Sequence, residues 1–384
     1  MYLGVICIVS FLTSTLAHPG LLGLDLGDIL SPLVGPVTNG GYPDRRTTQE
    51  PNIPKELSSP KPTTDRSCIP PKTKLTTNTF KYCKGDLVFS DDFEKPFNNH
   101  QSWDIEQYMP IEEGPDFEFV SYENDDRIVY KKNGRLIFNP TPRFNESEVF
   151  GELDLRNGCT SILPSECYFK RISTQLIPPV RSAKITNKFG FTYGKIEVKA
   201  KLPQGDWIYP QIQLVSDNKY APFKILVAYS RGNNHYVKNR DEGSSLLFGG
   251  ILWNTENSDS RMKLTESRPS LEPYGNKTHT YTVIWEPDSI TLLFNGEEYG
   301  RILIDIDNDE RFYPLKRTFR LSLGVGVGGI HDFPEGYISI PKKPWVNADR
   351  NQLKNFFDAR TEWAKTWSMG RSIMEVDSVK IYAV

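Results

Sequence analysis

Lys195-Ile196-Glu197-Val198-Lys199-Ala200-Lys201-Leu202 alternates charged and apolar residues without a break. Successive side chains of a strand point to opposite faces, so this period of two predicts a half-exposed β-strand with one face in a core. The same pattern recurs along the chain. Tyr281, Val283 and Trp285 share one face of another strand, and Ile290 to Phe294 runs into the hairpin pair Asn295-Gly296. Phe319 to Val327 reads as a strand running into Gly324, Gly326, Gly328 and Gly329, where a backbone or ligand approaches closely. Val376 to Tyr382 closes the chain as a strand. One helix is predicted near residues 348 to 360, where Leu353, Phe356, Phe357 and Arg360 follow helical spacing. Many short strands between turn signals predict an all-β sandwich occupying residues 67–384 as a single domain.

The upstream third has a different character. Residues 2 to 16 are an apolar run ending in Thr15-Leu16-Ala17, a small-residue cleavage site, so residues 1–17 read as a signal peptide and the protein as secreted. The alternative, a membrane anchor, is disfavoured because the run is short and lacks flanking Lys or Arg. No later segment has the length and apolarity of a membrane span. Residues 18–66 turn Pro-, Thr- and Ser-rich after a brief apolar patch (Leu21, Leu22, Leu24, Leu26) and predict an arm or linker, the patch being an alternative docking segment.

Cys7 leaves with the signal peptide, and the even set Cys68, Cys83, Cys159 and Cys167 predicts two disulfides in a secreted chain. Three connectivities are open. Cys68–Cys83 and Cys159–Cys167 close the shortest loops, and zinc is the remaining alternative, against spacings that are not metal-like. Asn145 and Asn276 head glycosylation sequons. A net charge of −2 with no basic run argues against a nucleic-acid partner. Aromatic residues make up 12% of the chain, a composition compatible with carbohydrate binding as well as with a large core.

The run Phe223-Lys224-Ile225-Leu226-Val227-Ala228-Tyr229-Ser230-Arg231-Gly232-Asn233 reads as a strand ending in a polar turn, and it carries no carboxylate. Its surroundings give that absence its meaning. Tyr193-Gly194-Lys195-Ile196-Glu197-Val198 followed by Gly205-Asp206-Trp207-Ile208-Tyr209-Pro210 resembles the laminarinase-type branch of glycoside hydrolase family 16. More narrowly, the chain resembles the arthropod β-1,3-glucan recognition proteins, also called Gram-negative-bacteria-binding proteins. The likeness also takes in Tyr82 to Phe93, Phe117-Glu118-Phe119-Val120-Ser121-Tyr122, His279 to Asp288, Gly328-Gly329, Lys343-Pro344-Trp345, Trp363 to Trp367 and Val376 to Tyr382.

That resemblance implies a jelly-roll sandwich with a glycan-holding cleft. It also implies, on one strand, Glu-x-Asp-x-x-Glu or the form without a bulge, Glu-x-Asp-x-Glu. Retaining glycosidases need one Glu as nucleophile and the other as acid/base, ~5 Å apart. Alternation keeps such residues on one face, and a bulge realigns the last of them. Here the bulged reading supplies Lys224, Leu226 and Tyr229, and the unbulged reading Lys224, Leu226 and Ala228. Neither register has a carboxylate, so the resemblance implies a binding protein that has lost catalysis. Leu252 stands where the family's Leu-His-Trp segment has histidine, and Gln213 where it has a second tryptophan. The motif-like Glu152-Leu153-Asp154 lacks the final Glu and its structural context, and reads as an exposed loop or edge strand.

By the same resemblance Trp207, Tyr209 and Trp253 align with cleft-lining positions, with core packing as the alternative. Tyr229 and Arg231 line the altered cleft or belong to a local turn network. Trp285, Trp363 and Trp367 are assigned to the core. Asp92 and Asp377 fall at a structural calcium site of some members, an incomplete shell for an ion that takes six or more oxygens; no other cofactor is implied. The extra N-terminal β-sandwich that such recognition proteins usually carry is not visible here. The expected function is secreted, non-catalytic recognition of microbial β-1,3-glucan or related glycans in innate immunity, with immune-cascade proteins as partners. Two alternatives stand beside it: an active β-1,3-glucanase with non-standard residues, and a secreted interaction module without sugar binding.

Overall fold

The computed structural model describes residues 68–76, 81–94, 102–111, 117–171, 175–218, 223–254 and 261–384. All of them fall within the unit Asp65–Val384. The signal peptide and the arm expected before residue 67 lie outside the described residues.

Two large antiparallel sheets carry the fold. Among the described residues one has nine strands, running along Lys74–Leu75, Phe191–Thr192, Phe319–Val327, Ile208–Ser216, Phe223–Tyr229, Leu246–Asn254 and Arg261–Pro269. Lys184–Asn187 also pairs with Phe319–Val327, and Trp103–Ile105 lies beyond it. The other has eight, along Glu297–Leu303, Ser289–Phe294, His279–Trp285, Gly194–Lys201, Met374–Tyr382, Arg135–Phe138 and Val129–Lys132, with Leu87–Asp91 on Met374–Tyr382.

The alternating stretch at Lys195 behaves as its period demands. Ile196, Val198 and Ala200 are fully buried while Lys195, Glu197 and Lys199 face outward. Opposite them Ile212, Leu214, Ile225, Ile251, Leu321, Leu323 and Val325 are equally sealed, and both sets belong to one continuous core. Each Val or Ile so buried contributes roughly 1.5–3 kcal/mol, and a charge placed at Val198 would break the layer. Trp285, Trp363 and Trp367 lie in the same core.

The predicted helix forms at Gln352–Asp358, with Phe356 and Phe357 buried and Phe356 stacked on Trp363 at 4.5 Å. Asn295 and Gly296 turn the Ser289–Phe294 strand back into Glu297–Leu303, both at positive φ. Both short-loop cysteine pairs are bonded, Cys68–Cys83 and Cys159–Cys167, which settles the connectivity. Glu152–Asp154 is a short strand paired with Tyr168–Lys170, its two carboxylates pointing to solvent.

Candidate functional site

The nine-stranded sheet turns one face to the core and the other away from it, and the register identifies the second. Gln213 pairs with Ser322 and Leu226, and Leu226 with Gly250. Because cross-strand partners share a face, Tyr209, Gln211, Gln213, Ser322, Gly324, Lys224, Leu226, Gly250 and Leu252 all lie on this outer face.

The Phe223–Tyr229 strand resolves the two readings of its sequence. Leu226 pairs with Gly250 but Tyr229 with Phe248, so three residues on one strand span two on the other. The neighbouring strand shows the same offset, with Gln213 opposite Leu226 and Ile212 opposite Ala228. A bulge at Val227-Ala228 therefore brings Lys224, Leu226 and Tyr229 to the outer face and leaves Ala228 fully buried. The three outer-face positions of this strand hold a lysine, a leucine and a tyrosine, and none of them is a carboxylate.

A carboxylate from a different segment does stand at this floor. Glu118 is buried and accepts hydrogen bonds from Tyr209 Oη at 2.9 Å, from Gln211 Nε2 at 2.5 Å and from Tyr122 Oη. Burial pushes the phenols of Tyr122 and Tyr209 well above their ordinary range, Glu118 adding to the effect at Tyr122 and Asp332 then Glu118 at Tyr209, so both stay protonated and donate. Lys184 sits beside them, its Nζ 4.2 Å from the Tyr122 ring and donating to Tyr108 Oη at 2.8 Å. A carboxylate saturated by three donors is a fixed acceptor that orders the floor. It is not a free acid/base.

Several residues singled out from the sequence take other roles. Trp207 is wholly buried; its ring packs edge-on against Phe333 at 5.3 Å and Trp345 at 5.1 Å, and its backbone N–H donates to Asn233 Oδ1 at 3.0 Å. No ring face is left for a sugar, and the cleft assignment is corrected to core. Tyr209 does lie on the outer face, but it is 2% exposed, its hydroxyl is held by Glu118, and its ring crosses the Cβ-free edge of Gly326. Trp253 belongs to the opposite face: it pairs with Phe223, the two rings stacked at 5.4 Å, and Phe223 in turn meets Phe319 of the core. Its neighbour Leu252 takes the outer face, as alternation requires.

Arg231 is corrected likewise. It is buried, donates from Nε to the Asp332 carbonyl at 2.6 Å and pairs with Glu242 at 3.3 Å, clamping two loops together. Tyr229 faces the floor between Tyr209 at 5.7 Å and Phe248 at 6.1 Å. The close approach expected at the glycine run is made by the protein itself. A Cβ on Gly328, at φ +64°, would strike the Phe119 ring.

The calcium expectation meets a different electrostatic arrangement. Asp377 pairs with Arg135 at 2.7 Å and Lys199 at 2.6 Å, and both cations hold its carboxyl below the ordinary range against the opposing pull of burial. Asp92 accepts from the backbone N–H of Glu94 at 3.2 Å. A carboxylate already neutralised by two side chains does not fit a calcium shell. Among the described residues no three His, Cys, Asp or Glu side chains gather at metal-binding distance. Asn145 and Asn276 are both exposed. Among the described residues no helix is long and apolar enough to cross a membrane.

Glu118, Tyr122, Gln211 and Lys184 were not assigned roles from the sequence. A signal exists for Gln211 alone: Tyr209, Gln211 and Gln213 place polar groups at every second position of a strand whose other face is apolar.

No family model matches the chain. It is 32% identical over 408 residues to the β-1,3-glucan-binding protein of Hyphantria cunea, covering 94% of this chain and 82% of that one. It is 33% identical over 332 residues to β-1,3-glucan-binding protein 1 of Manduca sexta, covering 79% and 66% respectively. With Gram-negative bacteria-binding protein 2 of Drosophila melanogaster it shares 32% identity over 326 residues, 80% of this chain and 67% of that one. The chain thus spans about two thirds to four fifths of the length of these relatives. Among solved structures, SCLam, a non-specific endo-β-1,3(4)-glucanase from family GH16, superposes with a TM-score of 0.51 at 16% identity, over 82% of this chain and 97% of that one. That likeness establishes the glucanase-type jelly roll as the fold. Together with the sequence relatives, it shows that the chain belongs to the β-1,3-glucan-binding and Gram-negative bacteria-binding protein family.

Proposed function

We propose that this is a secreted, non-catalytic recognition protein that binds β-1,3-glucan or a related microbial surface glycan in innate defence and engages immune-cascade proteins. The observation that carries it is the bulged strand. Lys224, Leu226 and Tyr229 occupy the face where paired carboxylates would act, and Glu118, a buried acid beside Tyr209, is already held by three donors. A lysine cannot replace a nucleophilic carboxylate in glycosyl transfer, and retention needs two acids close together. The names of the relatives support the glycan, and the two disulfides support secretion. In this reading residues 1–17 are removed, 18–66 serve as the arm, 67–384 form the binding domain, and Asn145 and Asn276 carry glycans.

A specific observation favours a second reading, an interaction module without sugar binding. Trp207 and Trp253, the two tryptophans among the candidates for stacking on a sugar ring, are turned to the core. Sedimentation with curdlan, paired with a reducing-sugar assay on laminarin, separates the readings. Retention on curdlan without release of reducing ends is expected. Released reducing ends would overturn the loss of catalysis, and absence of retention would establish the second reading.

A further inference from the structure

The chain from Gly328 to Asn347 is a loop braced from within. Asn347 Nδ2 donates to the carbonyls of Ile330 at 2.9 Å and Phe333 at 3.2 Å. Lys343 Nζ donates to the Phe333 carbonyl, Glu335 Oε1 and Asn347 Oδ1, all within 2.8 Å. Tyr236 Oη donates to the Pro334 carbonyl at 2.7 Å, and the Tyr236 and Tyr337 rings stack at 4.3 Å. At its tip Ile338–Ser339 pairs antiparallel with Tyr236–Val237, whose Val237 is in turn bridged by Asp241. Ile338–Ser339 is therefore the outer strand, and among the described residues no further strand lies on it.

This edge is apolar where alternation would make it polar. Ser339 points inward, while Ile338 and Ile340, two residues apart on the outward face, are each 74% exposed. Single exposed aliphatics are ordinary, but a pair on a rigid unpaired edge is the arrangement that accepts an added strand.

The surrounding charge selects the partner. Glu242 is paired with both Arg231 at 3.3 Å and Arg240 at 3.6 Å, and Glu335 with Lys343 at 2.7 Å, while Asp241 lies 3.0 Å from the His235 ring nitrogen Nδ1. With the exposed Lys238, whose Nζ lies 5.6 Å from the Tyr337 ring, and the exposed Lys342, the five cations Arg231, Arg240, Lys343, Lys238 and Lys342 outnumber the three carboxylates Asp241, Glu242 and Glu335 around this edge. A second copy of this chain would bring those lysines against their own equivalents, a repulsive arrangement. We propose that the Ile338–Ile340 edge is a docking site for an extended, acidic segment of a partner protein, which adds as a strand and seats alternate apolar side chains on the two isoleucines.

The test uses the full protein and a labelled peptide, Glu-Asp-Val-Thr-Ile-Asp-Glu, with a counterpart bearing Lys at its four acidic positions, followed by fluorescence anisotropy. Binding of the acidic peptide, weakening with salt, is expected. Ile338→Asp with Ile340→Asp should lower its affinity by about tenfold or more while leaving the thermal melt unchanged. Lys238→Glu with Lys342→Glu should transfer preference to the Lys peptide. The proposal is overturned if the acidic peptide fails to bind at about 1 mM, or if the two peptides bind the unaltered protein equally. It is also overturned if the isoleucine variant loses only phosphatidylserine-vesicle binding or self-association in sedimentation, outcomes that would name a lipid or a second copy as the occupant.

Discussion

On the outer face of the eight-stranded sheet, charges stand in water and pair: Lys195 with Glu197 along one strand, and across strands Lys199 with Asp377, Arg135 with Asp377 and Glu375, and Lys201 with Glu375. On the outer face of the nine-stranded sheet, polar groups are buried, as Gln211, Gln213, Lys224 and Glu118 show. Both faces arise from the same alternation. The difference lies in what covers them, and it changes what a hydrogen bond is worth. In water a broken pair is replaced by solvent; under cover an unmet donor keeps its full desolvation penalty.

The largest expected effect therefore falls at Glu118. Glu118→Ala removes the acceptor shared by Tyr122, Tyr209 and Gln211. Stability should drop by about 4 kcal/mol, read as a shift in the urea midpoint at unchanged slope. Glu118→Gln, which keeps one acceptor oxygen, should lose roughly half as much. A loss below about 1 kcal/mol for the alanine variant would mean that the covered face behaves like the solvated one.

Next in size is a pH effect at the end of the same sheet. Asp206 is 2% exposed, and burial raises its carboxyl to about 7, opposed by hydrogen bonds from Thr366 and Asn233. In the unfolded chain the group ionises near pH ~4. Below that pH both states hold the proton and the stability is fully present. Between about 4 and 7 the unfolded chain releases its proton first, so stability is lost as pH rises through that window. From pH 5 to pH 7 the contribution of this group should fall by about 2 kcal/mol. Asp206→Asn should flatten that part of the stability–pH curve; an unchanged slope would remove Asp206 as its source.

The fold was legible because its signal is local. The Lys195–Leu202 alternation, the Asn295-Gly296 turn and the Phe319–Val327 strand each declare themselves within ten residues or so. The floor was legible only in part. The lack of carboxylates on the Phe223–Tyr229 strand holds in either register, but the bulge that selects Tyr229 over Ala228 depends on pairing with Phe248 and Gly250. Trp207 could not be placed from its neighbours in sequence, because Phe333 and Trp345, far along the chain, close over it. The family resemblance gives Trp253 a strand position, and a position does not specify a face. Counting residues from Leu252 would have turned it to the core.

The smallest effect belongs to the solvated face, and its smallness is the informative part. Lys199 and Arg135 converge on Asp377 at hydrogen-bonding distance, a geometry that looks as firm as the Glu118 cluster. Both cations keep substantial exposure, 51% and 43% of their side chains, so Coulomb attraction is screened and side-chain ordering offsets much of the gain. Lys199→Ala should cost no more than about 0.5 kcal/mol at low salt and less at ~1 M salt, by the same urea titration. Asp377→Asn tests the network more sharply, since it leaves two cations facing each other. Its cost should stay within about 1 kcal/mol and shrink with salt, whereas that of Glu118→Ala should not respond to salt. A salt-independent loss at Asp377 as large as the one at Glu118 would show that the two faces do not differ in the way their burial implies.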